Sequence, residues 1–179
     1  MAKSFLNIPG LPIGLRNNNP GNIRPGDDWR GMIGEAGGFV VFENIAFGIR
    51  ALGIDLRTKI NNGYDTTELI IFRYAPPIEN DTLEYIRRVV DTTGIPQNRE
   101  LSADPETLAK LCRGIINVEL GPNYSHYITD NDISEGIGLM GGGSLVGPVG
   151  FSLAAVLLLV AVGLFATMPP YKRAKLLNV

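Results

Sequence analysis

Apolar residues at helical spacing dominate the middle of the chain. Ile45, Ile49, Leu52, Leu56 and Ile60 recur every three or four positions, predicting an amphipathic helix over 44–61 that Asn62-Gly63 ends. Asp65-Thr66-Thr67-Glu68 places a carboxylate three residues after an acidic N-cap and predicts a short helix to Tyr74, stopped by Pro76-Pro77. Asp81-Thr82-Leu83-Glu84 repeats that spacing. There Leu83, Ile86, Val89 and Val90 form the buried stripe of a third helix, closed by Gly94 and Pro96. A fourth helix opens at Asp104-Pro105 with proline at the first helical position, buries Leu108, Leu111, Cys112 and Ile115, and stops near 119–122. Ahead of them, residues 16–42 mix Gly, Asn and Asp with alternating apolar positions, which predicts turns and short hairpins with strands near 22–24 and 38–42. The fold class read from this pattern is mainly α (α+β): a helical head over 1–135 with a small β-hairpin element.

Beyond the head the pattern changes. No charged side chain occurs between Glu135 and Lys172. A glycine-rich stretch over 136–145 reads as a hinge. Residues 146–168, VGPVGFSLAAVLLLVAVGLFATM, would rise about 35 Å as a helix, enough to cross a bilayer of about 30 Å. Pro169-Pro170 would stop that helix, Tyr171 would sit at the interface, and Lys172, Arg173 and Lys175 in the tail over 169–179 predict a cytoplasmic C-terminus. The first residues contain no continuous apolar core of signal-peptide length, because Asn7, Pro9 and Pro12 interrupt it. The expectation is a head tethered to a lipid bilayer through 146–168, single-pass with a C-terminal anchor.

Charge narrows the function classes. All 18 acidic residues precede residue 136, where only 13 of the 16 basic ones lie. An acidic head lacks the cations that replace phosphate counterions, so no nucleic-acid partner is expected. One cysteine, Cys112, and one histidine, His126, leave no disulfide framework, no multi-imidazole zinc site and no His-paired nucleophile triad to propose. Cys112 reads as core. No metal or organic cofactor is called for.

Carboxylates remain as catalytic candidates. Glu119 continues the apolar stripe of the fourth helix and falls in its last turn, where burial and the negative end of the helix dipole both favour a protonated acid. The alternative is a solvated glutamate at a frayed helix end. Glu79 precedes a helix N-terminus and suits an electrostatic stabiliser or base, or simply a cap beside Asp81. Glu43 and Glu35 are weaker candidates. In the polar run RNNNPGNIR, Asn19, Asn22 and Arg24 offer the donors and acceptors that sugar hydroxyls and acetamido groups use, and Asn80 adds another amide. Trp29, Tyr74 and Tyr85 could stack on sugar faces, or simply pack.

The stretches RNNNPGNIRPGDDWRGMIGEAGGFVVFENIAFGIRAL and LIIFRYAPPIENDTLEYIRRV resemble a family of bacteriophage virion and prophage-encoded proteins with a lysozyme-like domain, over about residues 16–90. The resemblance implies a lysozyme-like fold and muramidase or lytic transglycosylase chemistry on peptidoglycan glycan strands. Such enzymes usually carry the catalytic glutamate on a helix ahead of the hairpin. Here the matching helix end, at Glu119, follows the hairpin, so the expectation is a circularly rearranged head in which Glu119 packs beside the 19–24 turn. Glu119 would act as general acid and then base, and Glu79 would stabilise the developing charge. The implied protein is a membrane-anchored virion component, placed in a virion membrane or the host inner membrane beside other capsid or membrane proteins, that cleaves peptidoglycan. The alternative from another class is a non-catalytic virion protein linking the capsid to an internal membrane.

Overall fold

In the computed structural model, which describes residues 2–78 and 81–141, each long helix begins where a short polar side chain can hold its first amides. The order is α1 (Ile13–Arg16), β1 (Met32–Ala36), β2 (Phe39–Phe42), α2 (Ile45–Asn61), α3 (Thr67–Tyr74), α4 (Thr82–Thr93), α5 (Pro105–Leu120) and α6 (Asp130–Gly138), with 3-10 turns at Ser125–Tyr127 and Leu139–Gly141. Asn44 caps α2 by accepting from Phe47 N, Asp81 caps α4 through Glu84 N, and Asp104 caps α5 through Thr107 N. The cap of α3 is Thr66 and not Asp65: its hydroxyl accepts from Leu69 N.

The apolar stripes share one core, with α5 and α6 packed on α2 and with α4 packed on α3 and α5. Ile49, Leu52 and Leu56 meet Ile70 and Ile71 of α3, Val89 of α4 and Leu111 and Ile115 of α5 in one buried core that also takes in Phe42. Each such side chain contributes about 1.5–3 kcal/mol by leaving water. Cys112 is fully buried in this core, and burial pushes its thiol well above the usual cysteine range. Three hydrogen bonds along the N-terminal segment tie it down: Lys3 Nζ donates to Asp132 Oδ2 and to Tyr127 O, both at 2.6 Å, and Phe5 N donates to Asn18 Oδ1.

Close approach of α2 to the asparagine run depends on Gly48. A Cβ there would overlap the carbonyl oxygen of Asn18, a backbone atom that cannot swing away. Gly48→Ala is therefore expected to destabilise the protein by at least about 1–3 kcal/mol, seen as a lowered midpoint in thermal unfolding followed by circular dichroism. An unchanged midpoint would show that α2 and the run can part without cost.

Several sequence expectations need correction. Residues 22–24 form no strand. Their place in the hairpin is taken by Met32–Ala36, which pairs antiparallel with Phe39–Phe42 across Gly37 and Gly38, both at positive φ. Met32–Ala36 alternates poorly, with exposed Ile33 and Glu35, so its period-2 signal is weak. Leu83 points to solvent at 70 % exposure and Tyr85 takes the buried position. Residues 130–138, unassigned from the sequence, form α6 through a capping box of Thr129 and Asp132. The glycine-rich segment read as a hinge starts inside α6, where Gly136 packs against Ile49 of α2.

The described residues form a small, mostly helical domain with a two-stranded antiparallel hairpin, not a lysozyme-like head carrying a membrane helix. One turn of helix, Ile13–Arg16, precedes the hairpin, and it contains no carboxylate. Among the described residues no helix is long and apolar enough to cross a membrane. The span expected over 146–168 and the basic tail lie outside the described residues, so the bilayer tether and the membrane location are not carried forward.

Candidate functional site

Of the four asparagines that follow α1, Asn18 and Asn19 build the loop and Asn22 carries it to the wall of a cleft. Asn18 and Asn22 adopt left-handed backbone conformations, φ +50° and +49°, which asparagine tolerates better than most residues. Asn19 closes the loop between them: its Nδ2 donates to Ile23 O and Val40 O, and its Oδ1 accepts from Ile23 N. This ring of bonds explains why 22–24 turns instead of extending. It also corrects the role expected of Asn19, which is fully buried with its amide committed to backbone and serves as scaffold.

The closed loop carries Asn22 to the end of α5. There Asn22 Nδ2 donates to Glu119 Oε2 at 2.6 Å, and the Tyr85 hydroxyl of α4 donates to Glu119 Oε1 at 2.7 Å. Both carboxylate oxygens thus hold a partner from a different part of the chain. Tyr74 stands edge-on to Tyr85, with ring centroids 6.4 Å apart, and its hydroxyl donates to Gly21 O. Glu119 thus lies beside the 19–24 turn, although the lysozyme-like resemblance from which that packing was expected does not hold.

Glu119, Asn22, Arg24, Trp29 and Tyr74 line a cleft of about 440 Å³, so five of the expected site residues share one cavity. Tyr85 joins them through its bond to Glu119. Glu79 and Asn80 lie outside the described residues. Glu35 and Glu43 are exposed near the hairpin and His126 is exposed at Ser125–Tyr127, none of them lining this cleft. Sequence reasoning missed Asp55, Lys59 and Arg73, which also line it. The signal for the first two was available: Asp55 and Lys59 form an i,i+4 ion pair on the otherwise apolar inner half of α2. Among the described residues no group of three or more His, Cys, Asp or Glu could hold a metal ion.

Burial raises the Tyr74 and Tyr85 hydroxyls well above their ordinary value of 10, and the charge of Glu119 adds to the effect on both. Below pH 10 the folded and unfolded chains both keep these protons. Above it the unfolded chain releases protons that the folded one retains, so stability is expected to fall as pH rises from 10 toward the folded-state values. Absorbance titration of the six tyrosines should show two that ionise only as circular dichroism reports unfolding. Ionisation of all six with the fold intact would contradict the burial of this pair.

No protein-family model matches the chain. It is 41 % identical over 121 residues, 64 % of its own length and 74 % of the relative's, to protein P5 of Pseudoalteromonas phage PM2. These findings overturn the lysozyme-like family assignment, with its circular rearrangement and its muramidase or transglycosylase signature. A likeness to a phage protein supports neither the peptidoglycan-cleaving anchored virion enzyme nor the capsid-to-membrane linker, and peptidoglycan, lipid and capsid partners are dropped with them.

Proposed function

We propose, for a chain that belongs to the family of protein P5 of Pseudoalteromonas phage PM2, a glycoside-cleaving activity centred on Glu119. The observation that carries it is the carboxyl group of Glu119, fixed by Asn22 and Tyr85 at the wall of an open polar cleft. A carboxyl group held in one orientation can give a proton to a glycosidic oxygen as the bond breaks and then take one from the attacking water. Asn22 and Tyr85 are positioning residues: each fills one lone pair and leaves the others for substrate. Trp29 and Tyr74 supply ring surface, and Arg24 and Arg73 supply donors for hydroxyl and acyl oxygens. A cleft with both polar walls and aromatic rings suits a sugar, which has hydroxylated edges and apolar faces.

The test is incubation of the full chain with β-1,4-linked N-acetylglucosamine oligomers of two to six units, with products read by mass spectrometry. Shorter oligomers accumulating with time are expected from the hexamer. An unchanged hexamer after prolonged incubation with folded protein would overturn the proposal.

A further inference from the structure

Next to the Glu119 cleft is a second cavity, of about 320 Å³, lined by Arg50, Ile54 and Thr58. Asp27, Trp29 and Asp55 belong to the walls of both. Two polar atoms at this shared wall are buried without a hydrogen-bond partner: the indole Nε1 of Trp29 and Oδ2 of Asp55. The ion pair with Lys59 accounts for Asp55 Oδ1 and leaves Oδ2 unexplained. A buried donor and a buried acceptor left unmade cost free energy, and structures seldom retain such atoms without a use for them.

We propose that the two cavities are halves of one trough for a run of at least three sugar rings, longer than a dimer can span, with Trp29 and Asp55 as the junction that a ligand opens. A sugar hydroxyl accepts from an N–H and donates to a carboxylate oxygen, so hydroxyls entering the junction satisfy Nε1 of Trp29 and Oδ2 of Asp55 together. Neither atom meets solvent in the unliganded protein, so the Trp29 ring has to shift when the ligand enters. Arg50 and Thr58 add polar groups at the far side. The inference rests on the sugar reading of the cleft but not on its cleavage chemistry.

Trp29 is the single tryptophan of the chain, so its fluorescence reports the junction alone. Full-length Glu119→Gln, used to prevent turnover, is titrated with N-acetylglucosamine dimer and hexamer. The hexamer is expected to change the emission and to bind at least about tenfold more tightly than the dimer. Adding Thr58→Tyr, which fills the second cavity from an exposed helix position, should remove that advantage while dimer binding stays the same. Asp55→Asn should weaken the hexamer by a similar factor. Equal affinity for both lengths, no emission change, or a hexamer advantage surviving Thr58→Tyr would overturn the trough. Length-dependent binding by a chain that leaves the hexamer uncut would support the trough and sink the glycosidase reading alone.

Discussion

Glu119→Gln is expected to slow cleavage of an oligosaccharide by about 10²–10⁴-fold, the range a positioned general acid–base group contributes. The substitution keeps the shape and one oxygen, so either Asn22 or Tyr85 retains its acceptor and the loop over 19–23 stays closed through Asn19. What disappears is the capacity to give and take a proton. The loss should therefore fall on kcat with little change in KM, and the thermal midpoint should move little. Tyr85→Phe makes the informative contrast. It leaves the acid in place but frees one oxygen, so the rate should fall by a smaller factor than for Glu119→Gln. A glutamate that serves only as a helix-end hydrogen-bond acceptor would show the reverse, with stability moving and kcat unaffected.

Asn18→Ala is expected to cost roughly 3–5 kcal/mol of stability. Its amide makes four bonds: Oδ1 accepts from Phe5 N, and Nδ2 donates to Ser4 Oγ, Phe42 O and Glu43 O. Asn18 is fully buried, so alanine leaves the backbone groups of Phe5 and Phe42 without partners and without water. The bonds join the N-terminal segment, the end of β2 and the asparagine run, and their loss should loosen the loop that presents Asn22. Urea unfolding of the full chain measures the change. A variant within about 0.5 kcal/mol of the parent, the usual span for an inconsequential surface change, would show that these three segments hold together without the amide.

Helices α2 to α5 were legible because their stripes and caps are local. Asn44, Asp81 and Asp104 announce helix starts, and the Leu108-to-Ile115 stripe is core in the structure. The misses came where tertiary contacts outweigh pattern. Leu83 has the right spacing but sits in the first turn of α4 facing solvent, while Tyr85, polar-tipped and off the expected stripe, is buried because Glu119 takes its hydroxyl. The 22–24 segment looked extended because asparagine side chains that satisfy backbone groups at long range leave no periodicity to read. Asp132, which helped conceal α6 as a run of polar residues, is buried. Desolvation works against its charge, but bonds from Lys3 and Thr129 outweigh it and hold its carboxyl below the usual range.

At the site, the residue types were legible and their division of labour was not. Asn19 and Asn22 read alike in sequence, yet one is sealed inside the loop and the other reaches Glu119. Asp55 read as one more charge on a long helix, because nothing in the spacing shows that Trp29, 26 positions away, shares its cavity walls.

The role assigned to Glu119 is tested most directly by changing how much the leaving group needs a proton. Dinitrophenol departs from a glycoside without help from an acid, whereas a sugar hydroxyl does not. Full chain and Glu119→Gln are compared by kcat/KM, which reports departure of the leaving group and not the later capture of water, on the N-acetylglucosamine hexamer and on a dinitrophenyl glycoside of the same sugar. The expected result is a deficit of about 10²–10⁴-fold on the hexamer that largely vanishes on the activated substrate. The same deficit on both, or none on either, would contradict proton donation by Glu119.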